Sequence, residues 1–167
     1  MDANKTIEIL KQAILLEKRG KAFYQNAFEN SKDPDVKSIF QIMADEEEDH
    51  VKFLAQQFKS YQADGKFDPT IVVENDGVTV ADEVLSKNIK DKISAASFEA
   101  AAIASAIDME NRAIAAYAER AKNAENEDER NFYQWLADWE RGHHKILYQL
   151  DQELKEKIWY DNNFWPF

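Results

Sequence analysis

The sequence predicts an all-α protein: a four-helix bundle of two helical hairpins joined by one long crossover that holds a short extra helix. Three observations lead there. Four glycines and three prolines in 167 residues are too few breakers for a sheet-and-turn architecture and favour long helices. Apolar residues recur at three- and four-residue steps over four long stretches, the period of a helix with one buried face. A pattern of acidic, phenolic and imidazole side chains is also written twice. Glu17, Tyr24, Glu47 and His50 recur as Glu110, Tyr117, Glu140 and His143, at one offset: 110 − 17 = 117 − 24 = 140 − 47 = 143 − 50 = 93.

The first helix is expected from about Lys5 to Glu29, with Thr6 as N-cap or first-turn residue. Ile7, Leu10, Ile14, Tyr24 and Phe28 form its stripe, and Glu17 falls on it. Pro34 ends the break that follows, because a proline cannot continue the helix before it. The second helix is expected from about Asp35 to Tyr61, with Val36, Phe40, Met43, Leu54 and Phe58 as stripe and Glu47 and His50 in its two gaps. The third runs from about Ser97 to Asn123, with Ile103, Ile107, Ile114 and Tyr117 around Glu110. The fourth runs from about Asp128 to Ile158, with Phe132, Leu136, Leu147, Leu150 and Leu154 around Glu140 and His143.

Between the hairpins, residues of about 62–96 hold Gly65, Pro69, Asp76-Gly77 and an extended Thr70-Ile71-Val72-Val73. This reads as a crossover returning the chain along the bundle, with a short helix over Ala81 to Ile93. Short turns within each half and one long connection between halves give the ferritin-like topology. The tail over 159–167 holds Trp159, Tyr160, Phe164, Trp165 and Phe167. It reads as a cap on one bundle end or as a subunit contact, since exposed aromatic clusters mark interfaces. A homodimer or higher homo-oligomer is therefore expected.

The length suits one domain over 1–167, with hairpins at about 5–61 and 97–158. A net charge of −11 argues against nucleic acid as a partner, which needs a basic footprint. The absence of cysteine excludes disulfides, thiolate zinc sites and any iron–sulfur centre held by this chain. Met1-Asp2-Ala3-Asn4-Lys5 leads directly into an amphipathic segment without the look of a signal peptide. No apolar run approaches the ~18 residues of a membrane span. A cytoplasmic protein is expected.

Each half supplies a lone Glu and, 30 residues later, a Glu-x-x-His (47 − 17 = 140 − 110 = 30). Residues three apart share a helix face, so Glu47 with His50 and Glu140 with His143 can each aim a carboxylate and an imidazole at one point. Glu17, Glu47, His50, Glu110, Glu140 and His143 form the ligand set of a carboxylate-bridged two-metal site inside a four-helix bundle. Oxygen and imidazole nitrogen suit iron(II) or manganese better than metals that prefer soft ligands; zinc is a further ion that such a site can load. Four ionised glutamates bring −4 and two divalent ions +4. An unpaired carboxylate in an apolar interior costs on the order of tens of kcal/mol by Born estimates. Surface ion pairs and core-satisfied histidines are the competing reading.

Tyr24 and Tyr117 lie two turns from a proposed ligand and read either as core or as hydrogen-bond donors to a glutamate. His144 is the alternative to His143, because Glu140-x-x-x-His144 also spans one turn. Gly20 and Gly142 sit inside helices, where each costs about 1 kcal/mol relative to Ala. They leave room for metal or oxidant, or permit close helix packing.

Leu16-Glu17 through Tyr24, Ala44-Asp45-Glu46-Glu47-Glu48-Asp49-His50, Met109-Glu110 through Tyr117, and Ala137-Asp138-Trp139-Glu140-Arg141-Gly142-His143 resemble the rubrerythrin branch of the ferritin-like superfamily. The resemblance spans all four main helices. It implies a di-iron bundle with the six residues as ligands, acting on hydrogen peroxide or handling iron and dioxygen. Two departures are visible. Ala113 stands where typical rubrerythrins carry a second glutamate three residues after the first ligand of the third helix, a residue tied to the peroxidase cycle. The cysteine-built rubredoxin-like domain is also missing, so electrons are expected from a separate donor. An iron-binding or ferroxidase protein of storage or detoxification is the alternative, and a metal-free helical interaction module the third possibility.

Overall fold

The computed structural model describes residues 3–71, 93–94 and 97–161, and side chains from 4 to 156 within that span. Its four long helices are α1 (Ala3–Asn30), α2 (Pro34–Asp64), α3 (Phe98–Asn123) and α4 (Glu127–Asp161). No strand occurs among the described residues. α1 packs along α2 and α3 along α4, giving two hairpins. None of the described helices is long and apolar enough to cross a membrane.

The helix ends follow from local chemistry. Asp33 caps α2, its carboxylate accepting from the backbone N–H groups of Asp35 at 2.9 Å and Val36 at 3.3 Å. Pro34 is the first residue of α2, one before the expected start. A proline is well placed there, since its missing N–H would have had no helical partner. Gly65 ends α2 in the left-handed region (φ 67, ψ 22), its N–H bonded to the Tyr61 carbonyl at 2.9 Å. The Ser97 hydroxyl caps α3 by accepting from the Ala100 N–H at 3.2 Å.

Thr70 and Ile71, expected as extended, lie instead in a 3-10 turn over Pro69–Ile71. The Gln57 side chain holds the preceding residue, accepting from the Asp68 N–H at 2.9 Å and donating to its carbonyl at 2.8 Å. The extended Val72-Val73 and the short helix of the crossover, apart from the buried Ile93, lie outside the described residues. α4 continues to Asp161, so the start of the aromatic tail is helical; its side chains too lie outside the described residues.

The buried seam of α1 is Thr6, Leu10, Ala13, Glu17, Gly20, Tyr24 and Ala27, alternating four- and three-residue steps. In α3 it includes Ile103, Ala106, Glu110, Ala113, Tyr117 and Ala121. Ile7, Ile14, Phe28, Ile107 and Ile114, expected on the stripes, are only half-buried at the flanks. Small residues hold the seam itself.

Two apolar clusters make the core. One includes Tyr24, Phe40, Met43, Ile103 and Leu147; the other includes Leu10, Leu54, Tyr117, Phe132 and Leu136. In every helix the acidic and imidazole residues of the repeat fall between the two. Glu17 lies between Ala13 and Tyr24, Glu47 and His50 between Ala44 and Leu54, Glu110 between Ala106 and Ala113, and Glu140 and His143 between Ala137 and Ile146. A polar layer therefore crosses mid-bundle, sealed by hydrocarbon at both ends.

Candidate metal centre

Glu17, Glu47, His50, Glu110, Glu140 and His143 are each at most 2% exposed. They form two overlapping groups whose donor atoms lie within 4.8 Å of one another: Glu17, Glu47, His50 and Glu140, and Glu47, Glu110, Glu140 and His143. Glu47 and Glu140 belong to both. Exchanging each residue for its repeat partner turns one group into the other, so the sequence repeat is a spatial two-fold at the site.

Both imidazoles present Nδ1 to the carboxylates. His50 Nδ1 lies 3.1 Å from Glu17, 3.3 Å from Glu47 and 3.1 Å from Glu140. His143 Nδ1 lies 3.2 Å from Glu140 and 3.8 Å from Glu110. Most of these approaches lack hydrogen-bond direction: Glu47 Oε2, both Glu140 carboxylate oxygens and His143 Nδ1 are buried without a hydrogen-bond partner. Such atoms cost about 1–3 kcal/mol each when left unsatisfied. Donor atoms that crowd a common space without bonding one another could hold a cation. His144 belongs to neither group; it is half-buried and stacks on Tyr148 with centroids 5.7 Å apart.

The tyrosines cross between the halves. Tyr24 donates to Glu110 and Tyr117 donates to Glu17. Each glutamate outside the shared pair is thus oriented by the phenol of the other hairpin. Behind them Tyr24 stacks on Phe40 and Tyr117 on Tyr133, with centroids 6.4 and 6.1 Å apart.

The far sides of the two imidazoles differ. His143 Nε2 is hydrogen-bonded to Glu46, whose same oxygen accepts from the Trp139 indole N–H at 3.2 Å. His50 Nε2 is buried with no hydrogen-bond partner, and its ring meets Trp139 edge-on at 4.5 Å. Sequence reasoning missed Glu46 and Trp139. One signal could have found them: 139 − 46 = 93, so they are repeat partners, each directly preceding a Glu-x-x-His.

Charge in the cluster is settled by protons when cations are absent. Burial, then the Glu140 and Glu17 carboxylates, push Glu47 well above the ordinary carboxylate range. Burial and Glu140 do the same to Glu110. Burial opposes the charged form of His50 and His143, but the surrounding carboxylates win and hold both imidazoles well above the usual histidine value. Burial also opposes ionisation of Glu140, yet His50 and His143 keep it well below the usual range. Burial first, and then the neighbouring glutamates, push both phenols up, which keeps them as donors. Each uncompensated buried ion costs several kcal/mol, and a whole domain is stable by only about 5–15 kcal/mol. Four glutamates therefore require compensation, from protons or from cations. Four carboxylates and two imidazoles, with unpartnered inward atoms on Glu47, Glu140 and His143, fit a pair of divalent ions.

Gly20 has a specific reason to lack a side chain. A Cβ there would lie 3.1 Å from Glu47 Oε1 and 3.2 Å from its Cδ. The space serves a proposed ligand rather than a helix backbone. Gly20→Ala is expected to stabilise the metal-free protein by up to about 1 kcal/mol through helix propensity, while displacing Glu47 and weakening metal binding. Melting curves with and without divalent metal check this; stronger metal binding in the variant would contradict it. Gly142 is half-buried, and Ala113 is 6% exposed.

Neither the curated proteins nor the solved structures compared with this sequence gave a match. The family model described as Rubrerythrin matches residues 8–151, a span containing all six clustered residues, both crossing tyrosines, Glu46 and Trp139. With most of its length so matched, the chain belongs to the rubrerythrin family.

Proposed function

We propose that this protein is a di-iron oxidoreductase that reduces hydrogen peroxide or dioxygen, with Glu17, Glu47, His50, Glu110, Glu140 and His143 holding the two ions. The observation that carries the reading is the pair of overlapping groups sharing Glu47 and Glu140, with Glu47 Oε2, both Glu140 oxygens and His143 Nδ1 turned inward without a hydrogen-bond partner. Membership of the rubrerythrin family supports iron over manganese or zinc.

Bound iron supplies the exchange of electrons with a small oxidant that these side chains cannot perform. The protein's part is position and exclusion. Glu47 and Glu140 reach both positions; Glu17 and Glu110 each serve one and are oriented by Tyr117 and Tyr24. The apolar clusters above and below keep bulk water from the layer, which strengthens every electrostatic interaction inside. With no cysteine in the sequence, electrons come from a separate donor.

Ala113 favours a second reading. A methyl group stands where the family's additional glutamate would, and one fewer carboxylate moves the preference from peroxide towards dioxygen, making the protein a ferroxidase. Elemental analysis followed by stopped-flow absorbance of the reduced, iron-loaded protein separates the readings. Rapid oxidation by peroxide with slow return until a donor is added supports the first. Much faster oxidation by dioxygen, with iron accumulating, supports the second. No bound metal would remove both.

A further inference from the structure

We infer that Glu46 makes the two metal positions unequal, so that the position formed by Glu47, Glu110, Glu140 and His143 binds a divalent ion first and more tightly. This rests on the six-ligand reading above and extends it to a positioning residue outside the ligand set.

Around the cluster almost every interaction has a repeat counterpart. The two ligand groups exchange, the two tyrosine–glutamate bonds exchange, and Tyr24 on Phe40 exchanges with Tyr117 on Tyr133. Sites built this way would have equal affinities. The two-fold is imperfect at Gly20 and its counterpart Ala113 and in the inner contacts, His50 Nδ1 lying 3.1 Å from Glu17 and His143 Nδ1 3.8 Å from Glu110; on the outer side of the imidazoles it breaks at positions 46 and 139, where one half has a carboxylate and the other an indole. The two meet each other, the Trp139 N–H donating to Glu46 at 3.2 Å.

The break reaches the ligands through the imidazoles. A histidine that ligates through Nδ1 must carry its proton on Nε2. On His143 that N–H has the Glu46 carboxylate as acceptor. The acceptor fixes the tautomer and the ring orientation, and its charge makes Nδ1 a stronger donor to a cation. On His50 the same N–H would be buried with no hydrogen-bond acceptor; the ring itself lies T-shaped against Trp139, with centroids 4.5 Å apart. The Nε2–H of His50 therefore has no acceptor to hold its ring as a ligand, whereas that of His143 keeps the Glu46 carboxylate when its Nδ1 binds. Loss of such an outer hydrogen-bond partner typically costs 10–100-fold in metal affinity, and that is the expected gap between the two positions.

Anaerobic titration of the metal-free full chain with cobalt(II), followed by its visible absorption, tests this. Wild type should show two steps separated about 10–100-fold in dissociation constant. His143→Ala should abolish the tight step, and His50→Ala the weak one. Glu46→Ala should weaken the tight step until the two merge, leaving the weak step in place. Glu46→Gln, which keeps a neutral acceptor of the same shape, should restore part of the separation. Equal steps in wild type would overturn the inference, as would a tight step that follows His50. A merely structural role for Glu46 would weaken both steps by one factor and keep their ratio, which also overturns it. Failure of cobalt to bind at all would remove the six-ligand reading itself, whereas two equal ions would remove only the inequality.

Discussion

Withdrawing divalent metal is expected to lower the melting temperature by about 8–16 °C for each filled position. An ion that binds only the folded state at a thousandfold excess over its dissociation constant stabilises by about 4 kcal/mol. In a chain of this size each kcal/mol moves the midpoint by roughly 2–4 °C. The effect should also depend on pH, with opposite signs in the two forms. Without metal, the raised pKa values of His50 and His143 contribute stability that is complete below the ordinary histidine value and is lost as pH climbs through the raised one. Glu47 and Glu110 act in the same sense, since the folded state holds protons that the unfolded chain releases above about pH 4.3. Glu140 acts oppositely, and its contribution disappears only in acid. From about pH 5 to 8 the metal-free protein should therefore lose stability. Metal must displace those protons, so its affinity should rise over the same range. Melting curves at pH 5.5 and 8, with iron(II) or manganese(II) and then with chelator, measure both trends. A midpoint indifferent to metal and to chelator would show that the glutamates hold protons and nothing else.

The six clustered positions were legible in the sequence because two independent periodicities meet at them. Helical spacing put Glu17, Glu47, His50, Glu110, Glu140 and His143 on apolar faces, and the offset of 93 paired them across the halves. The seams were read less well. Ile7, Ile14, Ile107 and Ile114 are the strongest hydrophobes near their stripes, yet the buried positions beside the glutamates belong to Ala13, Gly20, Ala106 and Ala113. Where a bulky buried carboxylate occupies the interior, as Glu47 does against Gly20, its neighbours must be small, and hydrophobicity alone does not reveal that. Spacing placed Tyr24 and Tyr117 on the right faces but could not say that each bonds the glutamate of the other hairpin. Glu46 was hidden in a run of five acidic residues, Asp45 to Asp49. Only the tertiary contact with His143 and Trp139 distinguishes it from its neighbours.

The last expectation separates the two shared glutamates, which repeat symmetry makes equivalent and protonation does not. In the metal-free protein Glu140 stays ionised between His50 Nδ1 at 3.1 Å and His143 Nδ1 at 3.2 Å. Glu47 is pushed up by burial and then by Glu140 itself, which favours its protonated form. Glu140→Gln removes the anion on which both imidazoles lean, and breaking a buried pair from one side costs about 3–5 kcal/mol. Glu47→Gln replaces a carboxyl pushed towards its neutral form by a neutral amide of the same shape. Its effect should stay within about 1 kcal/mol, the net worth of one hydrogen bond. In the presence of metal the difference should disappear, because each residue belongs to both groups, and under the proposed ligand set either loss would weaken both ions. Denaturant melts of the two variants, run with metal and again after chelation, give all four numbers. Equal destabilisation of the metal-free variants would mean that the buried charge is divided between Glu47 and Glu140 rather than held on Glu140. The two carboxylates would then meet an incoming ion in the same protonation state.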